Sequence, residues 1–420
     1  MPEAVVFPEN ADQVARILEL ATRHGFGVTP RGAGSGMSGG SIAVQGGLVM
    51  AMNRFNRILS IDTDNFVAIA EPGVVTGTLQ RAAAERGLFY PPDPSSADFS
   101  TLGGNLAECA GGAKAVKYGV TRDYVLGLEV VLPTGEIVRT GVKTAKGVVG
   151  YDLTRLIVGS EGTLGVITEM ALRLLPLPET VRTLSAVFTD MRQAAGCVVE
   201  IMRSGIVPRA VEYMDRNAIS CVKDYLDAEI SPDAGAMLLI ETDGTAHEAE
   251  TAAEKIEEIL MQQGAAHVET AAGPEAAAGL WKARKAISPA LYTYGPDKIN
   301  EDIVVPRSRL PEMVERIRAL GEKTGLTMVS FGHAGDGNIH FNIMYDRSMP
   351  EQSVAAGQAV DEIFDYTLEL GGTISGEHGV GIAKAPYMDK EIGQGALALM
   401  KRIKAAFDPA GILNPGKMHM

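Results

Sequence analysis

The sequence predicts an α+β protein in at least two parts, and three observations carry that prediction. The chain has 420 residues, whereas a single hydrophobic core usually stops growing at about 250–300 residues. Glycine-rich segments crowd the first 177 residues, at 32–47, 101–119 and 159–165, and glycine then thins out until a further cluster at 371–381. Composition changes at Pro176-Leu177-Pro178, and from Thr180 to about Gly371 strand-like runs alternate with long helical patterns. The expected division is therefore 1–177, 178–371 and a C-terminal segment, 372–420, that closes back on the first part.

The elements follow in order. Ala4-Val5-Val6-Phe7 reads as a short strand. Asn10 is a candidate N-cap with Gln13 three residues on, as in a capping box. Val14, Ile17, Leu18 and Ala21 recur at helical spacing, and Gly25 ends the helix. Phe26–Thr29 leads into the loop Pro30–Gly40; Leu48–Met52 and Phe66–Ala70 are strand-like, and a helix covers about Thr78–Arg86. Tyr90–Gly119 is rich in Pro, Gly, Ser and Asp and too long for an idle loop. Leu128–Leu132 and Ile137–Thr140 form a hairpin about Pro133-Thr134-Gly135-Glu136. Beyond the boundary, Glu248–Gln263, Pro311–Lys323 and about 394–407 read as helices.

Composition narrows the function. Apolar residues make up 46% and charged residues 21%, which suits a folded protein rather than a disordered one. The net charge of −14 argues against nucleic acid as a partner, since phosphate binding needs a basic face. Cys109, Cys197 and Cys221 match no CxxC spacing and suit a reducing compartment better than a disulfide framework. No stretch reaches the roughly 18 apolar residues of a membrane span, and no basic segment followed by an apolar core opens the chain. The expected location is the cytoplasm, with contact to the inner membrane only through a partner.

Gly34, Gly36 and Gly39 spell a literal G-x-G-x-x-G. The Rossmann reading needs a helix opening on that loop, and Gly40-Ser41-Ile42-Ala43-Val44-Gln45-Gly46-Gly47 is no helix. The anion-binding chemistry survives without it, because residues lacking Cβ let successive backbone N–H groups converge on a phosphate. Seven glycines between Gly32 and Gly47, the run Thr101-Leu102-Gly103-Gly104-Asn105, and Gly159-Ser160-Glu161-Gly162-Thr163-Leu164-Gly165 together suggest a large, flat, phosphorylated ligand wrapped in backbone. FAD fits that description.

A second chemistry lies near the C-terminus. Ala334-Gly335-Asp336-Gly337-Asn338 is turn sequence between two β-like runs, Leu326–Phe331 and Ile339–Tyr345. A hairpin here is expected to set His333 opposite His340, with Cβ atoms about 4.5–5.5 Å apart, and Asn342 on the same face. Glu377, in Ser375-Gly376-Glu377-His378-Gly379, could complete a His-His-Glu set for zinc, iron or manganese, leaving His378 as a base.

PRGAGSGMSGG, PPDPSS, TLGGNLAECAGG, KYG and GSEGTLGVITE together resemble the FAD domain of the vanillyl-alcohol oxidase type, nearest to the glycolate oxidase FAD subunit and the D-lactate and D-2-hydroxyglutarate dehydrogenases. The resemblance implies a two-part FAD-binding domain, an α+β cap domain for the substrate, and a D-2-hydroxy-acid dehydrogenase. By position it implies that Arg31, Gly32, Ala33, Gly34, Ser35, Gly36 and Ser38 hold the pyrophosphate of FAD. Pro92, Ser95, Thr101, Gly104 and Asn105 would lie along the flavin and ribityl chain. Glu161, Gly165 and Ile167 would lie near the adenine half, with Asn414 also at the cofactor. Some relatives attach FAD through a histidine in the first loop; none stands there, so FAD is expected to be non-covalent.

The resemblance gives His333, His340 and Glu377 the same metal-ligand roles and His378 that of catalytic base. It assigns Arg284 to the substrate carboxylate, with Ser288 and Asn342 nearby. Some relatives have a lysine where Asn300 stands; here Lys298 lies two residues earlier. The pattern usually starts some tens of residues before its first strand, and this sequence starts almost at it. With no NAD site or iron–sulfur cysteines in the chain, electrons are expected to leave to an iron–sulfur subunit, an electron-transferring flavoprotein or a quinone pathway. A homodimer is compatible with this reading. So is an FAD-binding subunit of a multi-subunit glycolate oxidase with little activity alone.

Overall fold

The structure is a computed structural model, and it describes residues 1–225 and 231–418. They form two compact units. Unit 1 combines Met1–Gly112, Gly119–Leu177 and the chain from Glu377 onward; unit 2 combines Ala113–Tyr118 with Pro178–Gly376.

Unit 1 begins with a parallel sheet of β1 (Ala4–Val6), β2 (Val28–Arg31) and β3 (Leu48–Ala51), in the order β1-β3-β2. The helix Ala11–His24 connects β1 to β2. Asn10 caps it by accepting from the Gln13 N–H, and Gly25 closes it at φ 71. The expected capping box is displaced by one residue: the Gln13 side chain accepts from the Glu9 N–H, not from Asn10. Its buried stripe, Val14, Ala15, Leu18 and Ala21, packs with Val28, Met50 and Leu413.

An antiparallel sheet follows, built from β4 (Ile58–Asp62), β5 (Val67–Ala70), β7 (Val125–Val131), β8 (Ile137–Gly141) and β9 (Val166–Arg173) in the order β4-β5-β9-β7-β8. β6 (Leu88–Phe89) pairs with β10 (Leu175–Pro176). The C-terminal segment returns to this unit: the Val28 N–H donates to the Ile412 carbonyl and the Asn414 N–H to the Val28 carbonyl, each at 2.8 Å.

Unit 2 is one seven-stranded antiparallel sheet with helices against it. Its strands are β11 (Thr180–Phe188), β12 (Ala210–Asp215), β13 (Ala236–Gly244), β14 (His267–Thr270), β15 (Asp297–Val304), β16 (Thr327–His333) and β17 (Asn338–Tyr345), in the order β14-β11-β13-β12-β16-β17-β15. Apolar residues of β12, β16 and β17, including Met214, Val329, Phe331 and Met344, pack with Ile219, Ile287 and Leu291 from the helices Arg216–Val222 and Pro274–Ala290 and the turn after them. Alternation along the strands places Glu212 with Met214, His333 with Phe331, and His340 and Asn342 with Met344 on that same face.

The hairpin register differs from the sequence expectation. His333 is paired with Asn338, and His340 with Phe331. The connection is four residues long because Gly337 takes φ 86 and the Asp336 carboxylate accepts from the Asn338 N–H at 3.2 Å. The two histidines are therefore diagonal neighbours on one face rather than directly opposed.

Candidate functional site

In unit 1 the loop leaving β2 walls a cavity of about 300 Å³, within the usual size of a pocket for an organic ligand. Arg31, Gly32, Ala33, Gly34, Ser35 and Gly36 form one wall. Ser95, Thr101, Gly104 and Asn105 contribute a second, and Glu161, Gly165, Ile167 and Asn414 a third. Glu377 and His378 also line it.

Two glycines are required by this packing. A Cβ on Gly32 would sit 2.2 Å from Thr101 Oγ1, and Gly34 takes φ +71 with the Arg31 guanidinium folded over it. Residues Leu102–Glu108 form a short helix where the sequence suggests irregular loop; a Cβ on Gly103 would meet Pro72 Cβ at 2.5 Å, so glycine lets that helix lie close.

Ser38 and Pro92 are not on the cavity wall. The Ser38 carbonyl accepts from the Ile382 and Ala383 N–H groups at 2.9 and 3.1 Å, and the Pro92 carbonyl accepts from Gln80 Nε2 at 2.8 Å. Asn414 ties the cavity together by donating to the carbonyls of Gly40 at 2.9 Å and Glu161 at 2.7 Å.

The cavity wall holds polar atoms in need of partners. Thr101 Oγ1, Glu108 Oε2 and Asn414 Oδ1 are buried with no hydrogen bond, a costly state that a polar ligand or water would relieve. The residues thus fit a phosphorylated cofactor: glycine backbone on the wall and the Arg31 cation suit its phosphates, and the unsatisfied oxygens suit its hydroxyl and N–H donors.

Glu108 is a wall residue that the sequence reading did not single out; its only signal is a carboxylate amid small and apolar neighbours. Burial and then the neighbouring Glu161 push its carboxyl well above the usual range. Burial also raises Glu161, although its carboxylate accepts from the Val380 and Gly381 N–H groups at 2.6 and 2.7 Å.

In unit 2 the histidine face carries the second chemistry. His333 and His340 stand with Nε2 atoms 3.4 Å apart and rings nearly perpendicular, at 88°. Two ligand nitrogens at about 2.0–2.1 Å from a tetrahedral ion are about 3.3–3.4 Å apart, so the pair has the bite of a metal site. Asp302 lies behind, with its carboxylate 3.8 Å from His340 Nδ1 and accepting from Gly376 N at 2.9 Å.

The helix Pro274–Ala290 brings Arg284 to this face. Its guanidinium lies 4.7 Å from the centre of the Phe331 ring and 2.6 Å from Glu212 Oε2. Asn342 accepts from Asn300 Nδ2 at 2.7 Å, and Ser288 Oγ accepts from Lys298 Nζ at 2.8 Å. Burial pulls the Lys298 ammonium below its usual range. Of the predicted set, His333, His340, Arg284, Ser288 and Asn342 belong to unit 2, whereas Glu377 and His378 belong to unit 1. Glu212 and Asp302 are further members that sequence reasoning missed; each is a lone carboxylate in a strand and belongs to no motif.

A cavity lined by glycine backbone in one unit and a buried histidine pair beside an arginine in the other suit a flavin-dependent oxidoreductase of the vanillyl-alcohol oxidase fold. Comparison with known proteins agrees. Residues 177–418 match the family model for FAD linked oxidases, C-terminal domain, and residues 2–141 match that for an FAD binding domain. The chain belongs to the FAD-linked oxidase family. It is 46% identical to glycolate oxidase subunit GlcD of Bacillus subtilis (strain 168) over 418 residues, 100% of this chain and 89% of that protein. It is 36% identical to a D-lactate dehydrogenase of Anaerostipes hadrus, across 99% of this chain and 89% of that one. Among solved structures, p-cresol methylhydroxylase with substrate bound shares the fold at a TM-score of 0.80 and 19% identity, over 99% of this chain and 88% of that chain.

Proposed function

We propose that this enzyme oxidises a D-2-hydroxy acid, D-lactate or glycolate, to the 2-oxo acid and passes the electrons to a protein or quinone acceptor. The observation that carries the proposal is the buried His333–His340 pair beside Arg284, on a chain whose relatives are named for glycolate and D-lactate, both 2-hydroxy acids. FAD, bound without a covalent link, supplies the hydride acceptor. A divalent ion, zinc, iron or manganese, held by His333 and His340, with Glu377 as third ligand, would make the substrate hydroxyl more acidic.

The protein does the rest. Arg284 takes the substrate carboxylate, for which its planar fork is suited, and Asn342 and Ser288 border that subsite. His378 accepts the hydroxyl proton, the general-base task for which histidine is the side chain most often used. With the proton gone, the hydride on C2 can leave. The assignment of Glu377 and His378 rests on the sequence pattern. His378→Ala should retain FAD yet fail to bleach it on anaerobic mixing with substrate; near-normal bleaching in that variant would remove His378 from the mechanism.

A further inference from the structure

Glu212 is only 1% exposed, and each of its carboxylate oxygens is engaged. Oε1 meets His333 Nδ1 at 2.5 Å, and Oε2 meets Arg284 Nη2 at 2.6 Å. The sheet builds this contact: Glu212 on β12 is the direct register partner of His333 on β16, so both side chains share a face at the closest cross-strand spacing. An ionised carboxylate only accepts hydrogen bonds. The proton of a neutral His333 must then sit on Nδ1, which leaves the Nε2 lone pair toward His340 Nε2.

The same carboxylate fixes Arg284. One edge of the guanidinium is taken by Glu212, and its plane rests against Phe331. Its Nε is buried with no partner, so the group still seeks an anionic acceptor. Removing Glu212 would leave a buried guanidinium without its counter-charge and a histidine free to take the other tautomer.

We propose that Glu212 is the positioning residue of this face, a single carboxylate that sets the metal-binding tautomer of His333 and aims Arg284 at the substrate carboxylate. The inference rests on the metal and substrate reading above. It makes His333 and Arg284 one coupled unit, so that metal affinity and substrate KM depend on the same side chain.

The test is equilibrium dialysis of the FAD-loaded protein against zinc with a competing chelator, for wild type, Glu212→Gln and His333→Ala. The wild type should bind one ion per chain, and His333→Ala should lose it. Glu212→Gln should bind zinc 10–100-fold more weakly, the usual effect of losing such an outer partner, with unchanged FAD content. Its KM for the hydroxy acid should rise more than its kcat falls. Equal zinc affinity in wild type and Glu212→Gln would overturn the inference while leaving the metal reading intact. A wild type that binds no zinc, manganese or iron would overturn both. Should the variant fail to fold, nitrogen-15 NMR of the histidines in the wild type decides, with His333 assigned from the spectrum of His333→Asn. A proton on Nδ1 is expected, and a proton on Nε2 in the metal-free protein contradicts the proposal.

Discussion

At the scale of single residues, chemistry was legible where it came in motifs and illegible where it came as lone side chains. If Arg284 holds the substrate carboxylate as proposed, Arg284→Lys should raise KM for the hydroxy acid by about 10-fold or more with FAD retained, because an ammonium cannot reproduce the guanidinium fork that also binds Glu212. Steady-state kinetics on the holoenzyme check this, and an unchanged KM would deny Arg284 its role. The two histidines stood out because seven histidines are few and two flank one turn. Glu212 and Glu108 did not, since a strand or helix carboxylate acquires meaning only from what tertiary structure puts beside it. Glu108→Gln, which fixes the neutral form that burial and Glu161 favour, should preserve FAD binding. Glu108→Lys should abolish it, and fluorescence titration of the apoprotein with FAD distinguishes the two.

At the scale of elements, the helices Ala11–His24 and Gln394–Phe407 and the strands around the turns were legible from periodicity and caps. Hairpin register was not, because a one-residue difference in where a turn closes depends on Gly337 and Asp336 rather than on the alternation of the strands. The short helix Leu102–Glu108 was hidden by its glycines, which serve close packing against Pro72. The junction of β12, β16 and the helix Arg216–Val222 carries a pH prediction. Asp215 caps that helix, accepting from the Ala218 N–H at 2.8 Å and from the Ser330 N–H at 2.6 Å. Burial outweighs these donors and pushes its carboxyl up to about 6. A group whose pKa is raised by folding contributes stability below its unfolded pKa and loses it as pH rises through the folded value. Asp215 should thus cost unit 2 about 2 kcal/mol on going from pH 4 to pH 7. Urea unfolding of wild type and Asp215→Asn at the two pH values should show that extra slope in the wild type alone; parallel slopes would contradict it.

At the scale of the whole molecule, the glycine-rich loops line the cavity of unit 1, and the change of composition at Pro176-Leu177-Pro178 coincides with the passage of the chain from unit 1 to unit 2. What left no mark is the excursion of Ala113–Tyr118 into unit 2, where Lys117 Nζ reaches Asp243 Oδ1 at 2.5 Å and Tyr118 Oη reaches Oδ2 at 2.8 Å. That contact is sequence-distant by 126 residues, so no local pattern announces it. Among the described residues no helix is long and apolar enough to cross a membrane. Since the cofactor cavity belongs to unit 1, FAD at 100 times its Kd should stabilise that unit by about 2.7 kcal/mol. Calorimetry checks this, and Gly32→Ala, whose Cβ would strike Thr101 on the cavity wall, should lose most of that added stability.

The most direct test of the account is anaerobic. The FAD-loaded protein is mixed in turn with D-lactate, L-lactate, glycolate and D-2-hydroxyglutarate while flavin absorbance near 450 nm is followed, the loss of which reports hydride arrival. If the proposed function holds, D-lactate or glycolate bleaches the flavin within the dead time of hand mixing and L-lactate does not. Bound flavin that none of the four acids reduces would contradict it and leave a cofactor-carrying subunit without this chemistry of its own.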